Sequence, residues 1–251
     1  MNKTRIYFNS KIKTKSSIAV VGLPGIGSVG SLVGEYLKNE VRAKRIATLY
    51  SPHFIHQTIM LKNGYTRLIS NRFYAKTVNG RTIIILIGDT QATTPEGQYE
   101  VNDTIVKFLK KLGCKTIYTI GGYSAGNYSI QNPKVFGVAS DKQTKTELEK
   151  SGIVFGKTFG AIWGSAGLIV SFAKMHRIRS ACIMGETSTL EIDANAAKAV
   201  LTAMAKVLKI NINLDNIDKI KKETDRLIKE IEEAAAVPPQ NVQKENFPYI
   251  R

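Results

Sequence analysis

The sequence predicts a single α/β domain whose mixed, mainly parallel sheet is flanked by helices, and three observations lead there. Short runs rich in β-branched residues recur at 17–21, 45–49, 82–87, 116–120 and 181–184. Amphipathic stretches at 29–38, 95–112, 142–150 and 165–176 lie between several of them, and alternation of this kind builds parallel sheets through helical crossovers. Between 58 and 87 no helical pattern intervenes. Gly64 and the Asn79-Gly80 pair mark hairpin turns there, so that part of the sheet is expected to be antiparallel.

The first strand runs into Gly22-Leu-Pro-Gly-Ile-Gly-Ser-Val-Gly30 and then a helix. Gly25, Gly27 and Gly30 satisfy G-x-G-x-x-G, the spacing that brings a backbone close to a phosphate at a helix N-terminus. The acid that would hold a ribose about twenty positions further on is missing, because 47–51 read Ala-Thr-Leu-Tyr-Ser. Pro24 also removes a backbone donor, and no Gly-Lys-Ser/Thr follows as in a Walker loop. Close helix–strand packing is therefore the better reading of these glycines.

The helix at 95–112 is announced by Thr94 as its cap, Pro95 in its first turn and Gly113 past its end. Ile105, Phe108, Leu109 and Leu112 give it one apolar face. The stretch 193–208 opens on an Asp cap and is alanine-rich, which suits close packing on a neighbour. From 215 to 236 charges dominate, with Ile217, Ile220, Thr224, Leu227 and Ile231 spaced three and four apart. That narrow stripe either docks on the domain itself or projects to pair with another subunit. Val237-Pro-Pro-Gln-Asn241 stops the helix and opens a polar segment too poor in apolar residues to order itself. At its end Phe247-Pro-Tyr-Ile-Arg251 has the form of a short docking peptide on a flexible tether. The chain thus divides into a core at 1–213, an amphipathic helix at 214–236 and a tail at 237–251.

The net charge of +16 is diffuse. Residues 1–50 carry nine Lys/Arg against two acids, whereas 201–251 carry nine against eight. With no Arg-rich run and no nucleic-acid motif, no nucleic-acid partner is expected. The apolar runs, such as 83–87, are too short to span a bilayer, so no membrane partner is expected either. Cys114 and Cys182 sit in apolar runs, and no secretory signal or cysteine framework is visible, which predicts a reducing cytoplasm.

Candidates for chemistry are few. His53 and His56 would not share a strand face, His176 falls at a helix C-terminus, and no Cys/His spacing suits a metal. Ser124, in Gly121-Gly-Tyr-Ser-Ala-Gly126, departs from the G-x-S-x-G elbow. Asp89, Gln91 and Glu96 follow a strand end, where α/β sheets bind ligands, and are candidates to line a pocket. They serve equally to cap the next helix and satisfy loop backbone. Without a base, metal or nucleophile arranged around them catalysis is the weaker reading, and no cofactor is expected. The alternative is an enzyme or sensor that binds a nucleoside or nucleotide at the glycine loop and Asp89, Gln91 and Glu96.

Five blocks in order resemble the proteasome assembly chaperone family in its archaeal form. They are 22–30, Thr90-Gln-Ala-Thr-Thr-Pro-Glu-Gly-Gln-Tyr99, 121–126, Gly164-Ser-Ala-Gly-Leu168 and Cys182-Ile-Met-Gly-Glu-Thr187. The resemblance implies a fold like that of nucleoside phosphorylases and peptidyl-tRNA hydrolases, used without known catalysis. It also implies a homo-oligomer, a tetramer or similar, that contacts the α-ring of the 20S proteasome without consuming ATP. Such proteins carry a C-terminal motif of a hydrophobic residue, tyrosine and a final residue, in which an aromatic anchor fills a pocket and the carboxylate pairs with a lysine. This chain departs from it, with Tyr249 third from the end and Pro248 before it. The implied partner-binding residues are Phe247, Tyr249, Ile250 and Arg251, and several such tails facing one ring would gain avidity.

Overall fold

A computed structural model of the protein describes residues 1–9, 17–124, 130, 132–156, 160–187, 192–217 and 219. In chain order the elements begin with β1 (Arg5–Phe8), β2 (Ser17–Gly22), a 3-10 turn (Ile26–Ser28), α1 (Val29–Glu40) and β3 (Lys44–Tyr50). Two short strands, β4 (Thr58–Met60) and β5 (Thr66–Leu68), precede β6 (Asn71–Val78) and β7 (Arg81–Gly88). Then come α2 (Pro95–Lys111), β8 (Cys114–Ser124), β9 (Val135–Ala139), α3 (Lys142–Glu149), α4 (Ser165–Met175), β10 (Arg179–Thr187) and α5 (Ala194–Leu208).

Among the described residues eight strands form one sheet in the order β1-β3-β6-β7-β2-β8-β10-β9, while β4 and β5 pair separately. The central strands are apolar on both faces because helices cover both. Ile83, Ile85 and Ile87 of β7 join Ile18 and Val20 of β2 against Leu32, Val33 and Leu37 of α1 and Val200 and Leu201 of α5. The intervening Ile84 and Leu86 join Ala19 and Val21 against Ile105 and Leu109 of α2 and Ile169 of α4. The period-two alternation of each strand therefore feeds two separate helical layers.

The expectation of a mainly parallel sheet is corrected. Only the four central strands, β7, β2, β8 and β10, run parallel. The four ladders outside them among the described residues are antiparallel. A parallel pair needs a crossover connection, as α2 supplies between β7 and β8, whereas β6 returns directly into β7 as a hairpin. The β6–β7 hairpin turns at Asn79 and Gly80, both with positive φ (50° and 74°), as the Asn-Gly signal predicts.

Helix caps also fall where the sequence puts them. The Thr94 side chain accepts from the Gly97 N–H at the start of α2, and the Asp193 side chain accepts from the Ala196 N–H at the start of α5. Both cysteines are buried and free. Burial pushes each thiol up to about 11. Among the described residues no helix is long and apolar enough to cross a membrane. Of the stripe predicted over 215–236, Ile217 is buried in the layer of α1 and α5. The approach to it is tied to α1, where the Tyr36 hydroxyl donates to the Asn213 carbonyl and the Asn213 N–H donates to Glu40 Oε1 at 3.1 Å. The remainder of that helix, and the tail at 237–251 with Phe247, Tyr249, Ile250 and Arg251, lie outside the described residues.

Candidate functional site

The carboxyl ends of β2, β8 and β10 open on one cleft of about 640 Å³. This is the end of a parallel sheet at which α/β proteins place their sites. Its walls come from Leu23, Gly25 and Ile26 of the glycine loop, from the segment of β8 ending at Ser124, and from Ile162 to Ala166 before and at the start of α4.

The glycine loop owes its shape to packing. A Cβ on Gly30 would stand 2.6 Å from the Leu23 carbonyl oxygen and 2.8 Å from that of Ile120, so α1 enters directly over the ends of β2 and β8. Gly27 adopts φ 61° and presses against the Thr187 side chain, while its carbonyl accepts from the Asp193 N–H at 2.9 Å. Thr187 in turn donates to the Asp193 carboxylate at 2.8 Å. Gly25 has open space around it. The structure thus uses the glycines chiefly to bring α1, β8 and β10 together, in line with the packing reading.

Of the three polar residues predicted to share a pocket, only Gln91 lines the cleft. Its Nε2 donates to the Pro24 carbonyl at 2.5 Å and its Oε1 accepts from the Ser165 N–H at 2.8 Å. One amide therefore staples the glycine loop to the first turn of α4. Gln98 extends the staple, donating to the Ala92 carbonyl at 2.6 Å and accepting from the buried Asn102 amide at 3.0 Å.

The grouping with Asp89 and Glu96 is corrected. The Asp89 carboxylate is taken up by a bidentate pair with Arg67 at 2.6 and 3.0 Å, by Arg72 at 2.9 Å and by the Ser70 N–H at 3.0 Å. Burial pushes its pKa up, but the Arg67 hydrogen bonds, the Arg72 charge and the Ser70 amide outweigh this and hold it below the usual carboxylate range. Because Arg67 lies on β5 and Arg72 on β6, Asp89 anchors the small hairpin to the main sheet. Glu96 sits exposed in the first turn of α2, where a negative charge suits the helix dipole.

Among the described residues lining the cleft none carries a formal charge. Aromatic and aliphatic surface dominates, with Gln91, Thr119, Ser124 and Ser165 as the polar points. Such a lining accepts an apolar or aromatic group held by a few hydrogen bonds. Ser124 is at the cleft and none of the three histidines is. His53 instead pairs with Glu100 at 2.9 Å and His176 with Asp103 at 2.7 Å. No group of three or more His, Cys, Asp or Glu among the described residues is arranged to hold a metal ion.

Sequence reasoning passed over Trp163, which stands at the rim 89% exposed. It is the single tryptophan of the chain and lies in Gly160-Ala-Ile-Trp-Gly164, outside any helical or strand pattern. An aromatic residue in a glycine-bounded loop was the signal available. The exposed Ile26 stands across the same opening.

Comparison with known proteins gives a consistent set of relatives. The PAC2 family model matches residues 19–234. An uncharacterized protein of Methanocaldococcus jannaschii is 34% identical over 244 residues, 94% of this chain and 93% of the relative. The crystal structure of Pyrococcus furiosus PbaB, an archaeal proteasome activator, is similar at TM-score 0.82 and 34% identity, covering 92% of this chain and 100% of that one. The structure of PbaA from the same organism, an archaeal homolog of proteasome-assembly chaperone, shares the fold at TM-score 0.75 and 24% identity, covering 93% of this chain and 95% of that one.

Proposed function

The chain belongs to the PAC2 family, and we propose that it is a proteasome-binding factor, an activator or assembly chaperone of the 20S particle that acts without catalysis and without ATP. The observation that carries this reading is the likeness to the Pyrococcus proteasome activator, 34% identical across 92% of the chain at TM-score 0.82. The cleft supports it, because an uncharged apolar lining with an exposed tryptophan at its rim suits protein surface better than a phosphorylated substrate. A reading as a nucleoside enzyme loses its polar cluster, since Asp89 is held by two arginines and Glu96 faces solvent.

The contact with the proteasome α-ring is assigned to the segment Phe247-Pro-Tyr-Ile-Arg251, with Phe247, Tyr249 and Ile250 as apolar anchors and Arg251 as the charged end. Tails of this kind are individually weak, and a homo-oligomer that presents several to one ring raises their effective concentration. The protein acts in the cytoplasm in this reading.

Co-sedimentation of the full chain with 20S proteasomes in the absence of nucleotide tests the proposal. The intact protein is expected to bind, and removal of residues 247–251 or Tyr249→Ala to abolish most of that binding. Undiminished binding by the truncated chain would sink the tail assignment, and no binding by the intact chain would sink the proteasome reading. Gel filtration that gave a monomer at micromolar concentration would remove the avidity argument.

A further inference from the structure

The opposite end of the sheet carries a second cleft, of about 570 Å³, at the amino ends of β2, β7, β8 and β10. Strand starts supply Arg81, Lys115 and Arg179, and the ends of α3 and α5 supply Lys150, Lys206 and Lys209. Among the described residues a single carboxylate, Glu147, lines it, and that group is paired with Arg179. Among the described residues the other five cations have no carboxylate partner.

Lysines near helix C-termini are favoured by the helix dipole, and this accounts in part for Lys150, Lys206 and Lys209. It does not account for Arg81, Lys115 and Arg179, which come from strands. The two helix ends contribute about half a negative charge each, so with Glu147 they leave the six cations far in excess.

The floor of this cleft contains Tyr118, only 5% exposed and lining the cavity, with no hydrogen-bond partner for its hydroxyl among the described residues. Its ring is packed in the core while its hydroxyl stays open to the cleft, where it can donate to a bound acceptor. Arg179 is already oriented there, donating to Thr144 Oγ1 at 3.0 Å as well as to Glu147. The cavity has the volume of a small-molecule site. Among the described residues no second aromatic side chain lines it to stack a base.

We propose that this basic cleft binds the polyphosphate group of a small ligand, with Arg81, Lys115 and the other cations neutralising the phosphates and Tyr118 donating to one phosphoryl oxygen. Recognition falls on linked phosphates and ignores whatever else the molecule carries. Inorganic tripolyphosphate and the phosphate tail of a nucleoside triphosphate therefore offer the same handle.

Isothermal titration of the full chain with tripolyphosphate, adenosine triphosphate and adenosine tests this, at about 50 mM salt so that screening is modest. The first two are expected to bind with similar affinity and adenosine not at all. Tighter binding of adenosine triphosphate, with adenosine itself binding, would place the base in the site and overturn the assignment to phosphate alone. The double substitution Arg81→Gln and Lys115→Gln should weaken tripolyphosphate about tenfold or more. Tyr118→Phe should weaken it about threefold to tenfold with the thermal unfolding unchanged in shape. Lys62→Gln with Lys134→Gln, on the β4–β5 hairpin and beside Glu186 at the other end of the sheet, should leave affinity as it was. No binding of tripolyphosphate, equal loss in the Lys62/Lys134 pair, retention of full affinity in the Arg81/Lys115 pair, or equal binding of a hexaglutamate peptide would each overturn the proposal.

Discussion

A methyl group on Gly22 would stand 2.2 Å from the Gly30 carbonyl oxygen and 3.0 Å from the Gly34 Cα, both backbone atoms that cannot yield. Gly25, three residues later, has extended backbone (φ −177°) and no neighbour nearer than the Gln91 amide at 3.9 Å. A loop built to cradle phosphate would be most sensitive at Gly25, whereas a loop built for packing fails at Gly22. Urea denaturation should therefore show Gly22→Ala losing about 3 kcal/mol through overpacking and Gly25→Ala changing by no more than about 0.5 kcal/mol. Equal losses at the two positions would contradict the packing account. The spacing of these glycines was legible in the sequence, and so were Pro24 and the missing acid that argue against a dinucleotide. The hold of Arg67 and Arg72 on Asp89 was not legible, because those residues come from different strands and nothing local couples them.

At the scale of elements, helix starts were readable because a cap acts within one turn. Thr94 and Asp193 both accept from the N–H three residues on, but their surroundings differ. Asp193 also accepts from the buried Thr187 hydroxyl, which joins α5 to the end of β10. Thr94→Ala should cost about 1 kcal/mol, and Asp193→Ala about 2 kcal/mol, since it loses the cap and strands a buried hydroxyl as well. Asp193→Asn should recover most of that loss, and guanidinium melts of the three variants give the comparison. Edge strands were less legible. β9 is short and contains Gly137, whose missing side chain makes room for Phe155 and Ile153. β1 is half exposed and pairs with β3, with its Phe8 ring set 5.3 Å from that of Phe108 on α2. In both the tertiary partner selects the strand, and the local sequence has little to say.

For the molecule as a whole, the carboxylates set the response to acid. Asp89, Glu100, Asp103, Asp141 and Glu147 all have pKa values below their ordinary range in the fold. In Glu100 the largest influence is the Thr4 N–H and in Glu147 the Arg179 guanidinium. In the three aspartates burial acts upward first, and hydrogen bonds with neighbouring cations or hydroxyls outweigh it. A lowered pKa in the folded state contributes stability that is complete above the unfolded value, about 4, and is lost as pH falls through the folded value. Urea midpoints should be level from about pH 7 to pH 5 and fall steeply below about pH 4. Asp89→Asn should start from a lower plateau and show a shallower fall. The likeness to the proteasome assembly chaperone family stood in five short blocks, and the PAC2 family match bears it out. By itself the sequence determined the α/β class, the helices and their caps, the hairpin turns and the buried cysteines, because each follows from periodicity or from contacts within a few residues. Only the tertiary structure decided the strand order, the antiparallel edges, the separation of Asp89 and Glu96 from Gln91, and the gathering of six cations at the amino ends of four strands. Those depend on which distant segments become neighbours, and that is settled by packing two apolar faces of one sheet at once.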